Sequence, residues 1–192
     1  MSTTARRSEV DRARAVRIAL RRLVAEGGFH GASMNAVAKA AGVATGTAYV
    51  HYQGKDELVI AAYAETKREL GLAAVGAVDP DAPPHERFAS MWLALHSHLA
   101  ANPDDARFLV QVEHSPYLAL AHERASAPSD DPLLAAAAAP DLATLLAPLP
   151  PEVLWELGLA PAVRLVAAGT GLTNEQLSAT AEACWRAVTV GS

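Results

Sequence analysis

Between Ser33 and Lys55 the chain sets small apolar residues, one turn glycine and a compact reading surface at spacings that leave few folds open. Ser33 offers its hydroxyl to an orphan backbone N–H, and Val37, Ala38 and Ala41 follow at three-to-four spacing, which predicts a short helix with one packing face. Gly42 supplies the left-handed backbone that ends a helix without a side-chain penalty, and Val43 folds back as the apolar plug of the turn. A second helix then starts near Thr45. Ala48 and Tyr52, four apart, pack inward, while Thr45, Gly46, Thr47, Val50 and His51 form a surface suited to close approach. Two short helices across a glycine turn form a unit that serves mainly to push a helix into the major groove of DNA.

Charge points the same way. Residues 1–55 hold nine basic side chains (Arg6, Arg7, Arg12, Arg14, Arg17, Arg21, Arg22, Lys39 and Lys55) against Glu9, Asp11 and Glu26, a net of plus 6. The other 137 residues hold seven basic and eighteen acidic ones, which brings the whole chain to its net charge of −5. A basic head on an acidic body is the footprint of a protein that touches a polyanion at one end. The five arginines from Arg12 to Arg22 also fit a plain solvated helix face, and only the adjacent turn motif favours DNA.

Gly28-Phe29, Ser33-Met34, Ala41-Gly42-Val43, Gly46-Thr47-Ala48-Tyr49, His51-Tyr52 and Lys55-Asp56-Glu57-Leu58 occur in the order and spacing of one known pattern. Over roughly residues 10–65 the chain resembles the TetR family of transcriptional regulators. Two departures stand out. Ala44 replaces the usual serine, so Thr45 is expected to cap the second helix, and Gly54 replaces a capping serine or threonine at less cost. The resemblance implies base contacts from Thr45, Gly46, Thr47 and Val50, and phosphate contacts from Ser33, Tyr49, His51 and Lys55. Arg6 and Arg7 are expected to follow the minor groove as a disordered arm.

The fold is expected to be all-α: the chain is rich in alanine, poor in aromatics and lacks alternating β-branched runs. Residues 1–54 form the helix-turn-helix head and 55–192 a helical ligand-binding and dimerisation domain, in which 55–78 is a connecting helix. Glu9–Ala25 predicts a pillar helix with Val10, Ala13, Val16, Leu20, Leu23 and Val24 inward and the arginines opposite. Asp79–Pro84 breaks the chain, and helices are expected over 85–101, 104–115 and 117–124, with a loop at 126–132. Leu133–Leu146 reads as helix interrupted by Pro140, and Glu152–Ala168 and Asn174–Val190 as a final pair, the second with a Thr173/Gln176 capping box.

That final pair carries more apolar surface than a two-helix hairpin hides, so part of Leu154, Trp155, Val163, Leu165, Val166, Leu177, Ala181, Trp185 and Val188 is expected to face a second copy. The family resemblance implies the same: a homodimer on double-stranded operator DNA, released by a small-molecule effector as a repressor would be. For a partly apolar effector the candidates are Phe88, Trp92, His96, Gln111 and His114, although core packing explains each as readily. An activator, or a helical interaction module without a ligand, is the alternative, and the basic head weighs against the module. No catalytic motif, cofactor loop or metal-ligand spacing is found, and no stretch of membrane-spanning length, so no enzyme, cofactor, metal or membrane role is expected. The lone Cys184 reads as packing ahead of redox sensing, and a cytoplasmic setting is expected.

Overall fold

The computed structural model describes residues 3–124 and 132–190. Twelve helices follow in order among them: α1 (Thr3–Gly31), α2 (Met34–Ala40), α3 (Thr45–His51), α4 (Lys55–Gly76), α5 (Pro84–Ala101), α6 (Pro103–Glu113), α7 (Tyr117–Arg124), α8 (Pro132–Ala137), α9 (Pro140–Ala143), α10 (Pro151–Gly158), α11 (Ala160–Ala167) and α12 (Asn174–Val188). The fold is all-α with a three-helix head at the N-terminus, as the sequence predicts. Of the loop expected at 126–132, residues 126–131 lie outside the described residues and Pro132 already opens α8.

The helices gather into two compact units, 1–66 with 107–125, and 67–106 with 126–192. The first unit extends past residue 54 into α4. The first half of α4 is apolar nearly all round, with Leu58, Val59, Ile60, Ala62 and Tyr63 buried, so it needs cover that three short helices do not supply. In the first unit α6 contributes buried Phe108, Leu109 and Val112. The α7 ring of Tyr117 lies 4.8 Å from that of Phe29.

Local chemistry explains most helix ends. Gly28 takes φ 68°, and α1 kinks there, past the Ala25 end expected for the pillar helix. The Gly42 turn closes with its own N–H on Lys39 and the Val43 N–H on Ala38, two orphan carbonyls satisfied as in a Schellman motif. Glu57 reaches back to the Gln53 N–H at 2.6 Å and compensates for the glycine before α4. The Thr173/Gln176 box forms in both directions.

In the second unit α5 buries Phe88, Met91, Trp92, Leu95 and Leu99 against α11 and α12. A Cβ on buried Gly158 would come 3.2 Å from Val188 Cγ1, which shows how closely α10 and α12 approach. Leu146 and Thr189 form an isolated antiparallel bridge beside the end of α12. One expected helix is two: α10 and α11 divide at Leu159, because Pro161 has no N–H and its ring opposes the Leu157 carbonyl of a continuous helix.

Candidate nucleic-acid interface

α2 and α3 are held to α1 by the buried side chains of Val37, Ala38 and Ala48, which leaves the outer face of α3 uncovered. Val50 is 75% exposed and Tyr49 51%, and Gly46 is exposed beside them. Thr45, Thr47 and His51 are half-buried on the same short helix. Ser33 is exposed at the start of α2, and its Oγ accepts the Ala36 N–H at 3.2 Å, which leaves its own proton for a partner.

Two expectations about this surface change. Thr45 does not cap α3; it is the first helical residue, and Ala44 occupies the cap position without a side-chain bond. Only the Ala44 carbonyl engages, accepting from Thr47 (2.9 Å) and Ala48 (3.3 Å), so the helix start is held by backbone alone. Lys55 is committed in part to the fold, because its ammonium donates to the Phe29 carbonyl beyond the Gly28 kink and lies 5.8 Å from the Phe29 ring centre. Burial there pushes the Lys55 pKa down.

The arginines of α1 are not all on one outer face. Arg12, Arg14 and Arg22 are exposed, and so is Lys39 of α2, a basic group next to the turn that the sequence motif does not single out. Arg17 and Arg21 instead turn inward to Glu65 of α4. The missed signal is their position one residue after Val16 and Leu20 on the inward stripe, together with Glu65-Thr66 in an apolar stretch of α4. α1 is helical from Thr3, so the backbone at Arg6 and Arg7 is not an unstructured arm; their side chains lie outside the described residues.

Comparison with known proteins decides the class. A family model for bacterial regulatory proteins of the tetR family matches residues 19–62, and one for a tetracyclin repressor-like C-terminal domain matches 83–189. A TetR-family transcriptional regulator from Haemophilus influenzae is 30% identical, with 95% of this chain and 98% of that one covered at a TM-score of 0.77. Another from Marinobacter aquaeolei is 25% identical, with 96% and 98% covered and a TM-score of 0.78. No curated protein matches. The chain belongs to the TetR family.

This TetR-family regulator therefore carries its DNA-binding helix-turn-helix in α2 and α3. The other candidate residues distribute as follows. Phe88 and Trp92 are buried in the second unit, and His96 stacks on Trp92 with ring centres 5.8 Å apart and planes 6° from parallel. Burial lowers the His96 pKa. The buried Trp92 indole N–H faces the Cys184 sulfur of α12. Gln111 and His114 belong to the first unit, where both are exposed and the His114 ring bonds the Val110 carbonyl at 2.9 Å. Of the residues expected to face a second copy, Val163, Val166, Ala181, Trp185 and Val188 are buried within their own chain. Phe88 packs against Trp185 with ring centres 5.4 Å apart and planes tilted by 50°, which explains part of that burial. Leu154, Trp155, Leu165 and Leu177 are half-buried, and Val153 and Leu157 of α10 are exposed.

Proposed function

We propose that this regulator is a homodimeric repressor that binds a palindromic operator and is released by a small-molecule effector. The observation that carries the DNA site is Val50: an apolar side chain 75% exposed on the second helix of a helix-turn-helix is placed to gain most from a thymine methyl. Thr45, Thr47 and the Gly46 backbone complete the base-reading set, and Ser33, Tyr49, His51 and the remaining Lys55 protons bind phosphate. One seven-residue helix reads too few base pairs for regulation, so two copies on half-sites one helical turn apart supply the specificity.

The effector is a partly apolar small molecule. Phe88, Trp92 and His96 lie together on α5, with the Trp92 and His96 rings stacked, and support this. Release follows if the effector binds more tightly to a geometry in which the two heads no longer match successive grooves.

In vitro selection from a random duplex library tests the reading. The expected product is an inverted repeat bound by two chains, with affinity that falls steeply as salt rises. Selection of no sequence, or binding indifferent to salt, would refute it.

A further inference from the structure

The one residue at which the recognition helix ends is tied to two other helices by a continuous polar chain. Tyr52 follows α3 in extended conformation and is only 5% exposed. Its hydroxyl accepts from Arg17 Nη1 at 2.6 Å and donates to the Ala13 carbonyl at 3.2 Å, both on α1. Arg17 also makes a bidentate pair with Glu65 of α4, Nε to Oε2 at 2.9 Å and Nη2 to Oε1 at 2.6 Å. One turn further along α1, Arg21 places Nη2 3.4 Å from the same carboxylate and Nη1 3.1 Å from the buried Thr66 hydroxyl. Glu65 thus lies between two guanidiniums, and Arg17 spends three N–H groups on Tyr52 and α4 together.

We propose that Tyr52, Arg17 and Glu65 are positioning residues for sequence recognition: they fix the pose of α3 without touching DNA. The proposal rests on the DNA-binding reading above. Hydrogen bonds to base edges weaken steeply with small errors in distance and angle, whereas charge attraction to the phosphates tolerates them. A recognition helix of seven residues is about 10 Å long and has few other anchors, so loosening its end misplaces the base contacts near Thr47 and Val50. The selective loss of sequence preference, with phosphate binding retained, is the signature that separates positioning from general destabilisation.

Tyr52→Phe keeps the ring and removes the hydroxyl. By fluorescence anisotropy, its affinity for the duplex that the wild type selects is expected to fall about tenfold, the scale of one charge-assisted bond. Its affinity for a random-sequence duplex of equal length should stay within about twofold, with the same slope against salt over roughly 50–200 mM. Glu65→Gln should lose preference similarly, and adding Tyr52→Phe to it should cost little more, because both act through Arg17. If Tyr52→Phe fails to fold, as judged by its melt, Glu65→Gln alone decides by the same ratio. Wild-type discrimination in the folded variant, or parallel loss on both duplexes, overturns the positioning role while leaving the DNA-binding reading intact. If the wild type selects no duplex, the DNA-binding reading fails and the positioning role with it.

Discussion

Cys184 and His96 show how burial bears on the chemistry of single residues in this chain. The Cys184 thiol is buried on α12, and burial pushes its pKa up, so it holds little thiolate at neutral pH. Native protein is expected to react with an aromatic disulfide reagent on the order of a hundredfold more slowly than urea-unfolded protein. Equal rates would return Cys184 to consideration as a sensor. His96 differs in sign. Burial lowers its pKa in the folded state from 6.5, so the unfolded chain binds the proton first as pH falls. Stability is therefore lost progressively below 6.5, until the folded-state pKa is passed as well. His96→Gln should flatten the melting temperature between about pH 7 and about pH 5, and an unchanged profile would contradict the assignment. Inward packing of Tyr52 was legible from its four-residue spacing to Ala48, because that signal is local. The inward turn of Arg17 was not legible, because its partner Glu65 is 48 residues away and a sequence records charge without recording what meets it.

At the level of elements, the recognition helix begins without a side-chain cap, and this is a correctable defect. Ala44 already has the extended backbone of a cap residue, φ −66° and ψ 145°, so a hydroxyl there would meet the orphan N–H groups without rearrangement. Ala44→Ser is expected to raise unfolding free energy by about 0.5–1 kcal/mol in urea denaturation, with the denaturant slope unchanged. No gain would mean that the exposed start of α3 is already satisfied by water. α10 presents the opposite case. Alanine is the better helix former by about 0.5–1 kcal/mol, yet a Cβ at Gly158 would press on Val188 Cγ1, itself buried in close-packed surroundings. Overpacking of that kind costs about 1–3 kcal/mol, so Gly158→Ala should lower the melting temperature. A rise would show that α10 and α12 can separate freely. Periodicity revealed both partners as helices but not their approach, and it ran α10 and α11 together because their apolar pattern continues across Pro161. The break is covalent rather than patterned.

Across the whole molecule, the expected dimer face is narrower than hydrophobicity alone implies. The sequence counts apolar residues on the last helices but cannot divide them between the chain's own core and a second copy. With Val163, Ala181 and Val188 buried internally, the surface left to a partner includes Val153 and Leu157, four apart on one face of α10, beside half-buried Leu154. Leu157 is 41% exposed, so a glutamate there is tolerated by the monomer fold and carries its charge into any interface. If α10 joins two copies, Leu157→Glu should shift sedimentation equilibrium from dimer to monomer at micromolar concentration. It should also make the melting temperature independent of protein concentration. DNA binding then separates two effects. Each head keeps its basic residues and still meets random duplex, but an inverted repeat no longer gains from holding its second half-site at high effective concentration. The variant is therefore expected to lose preference for the selected repeat by at least about a hundredfold, while a single half-site is bound as by wild type. A variant that stays dimeric would place the interface on α11 and α12 instead, through Leu165 and Leu177. A wild type that sediments as a monomer at every concentration would remove the two-half-site mechanism altogether.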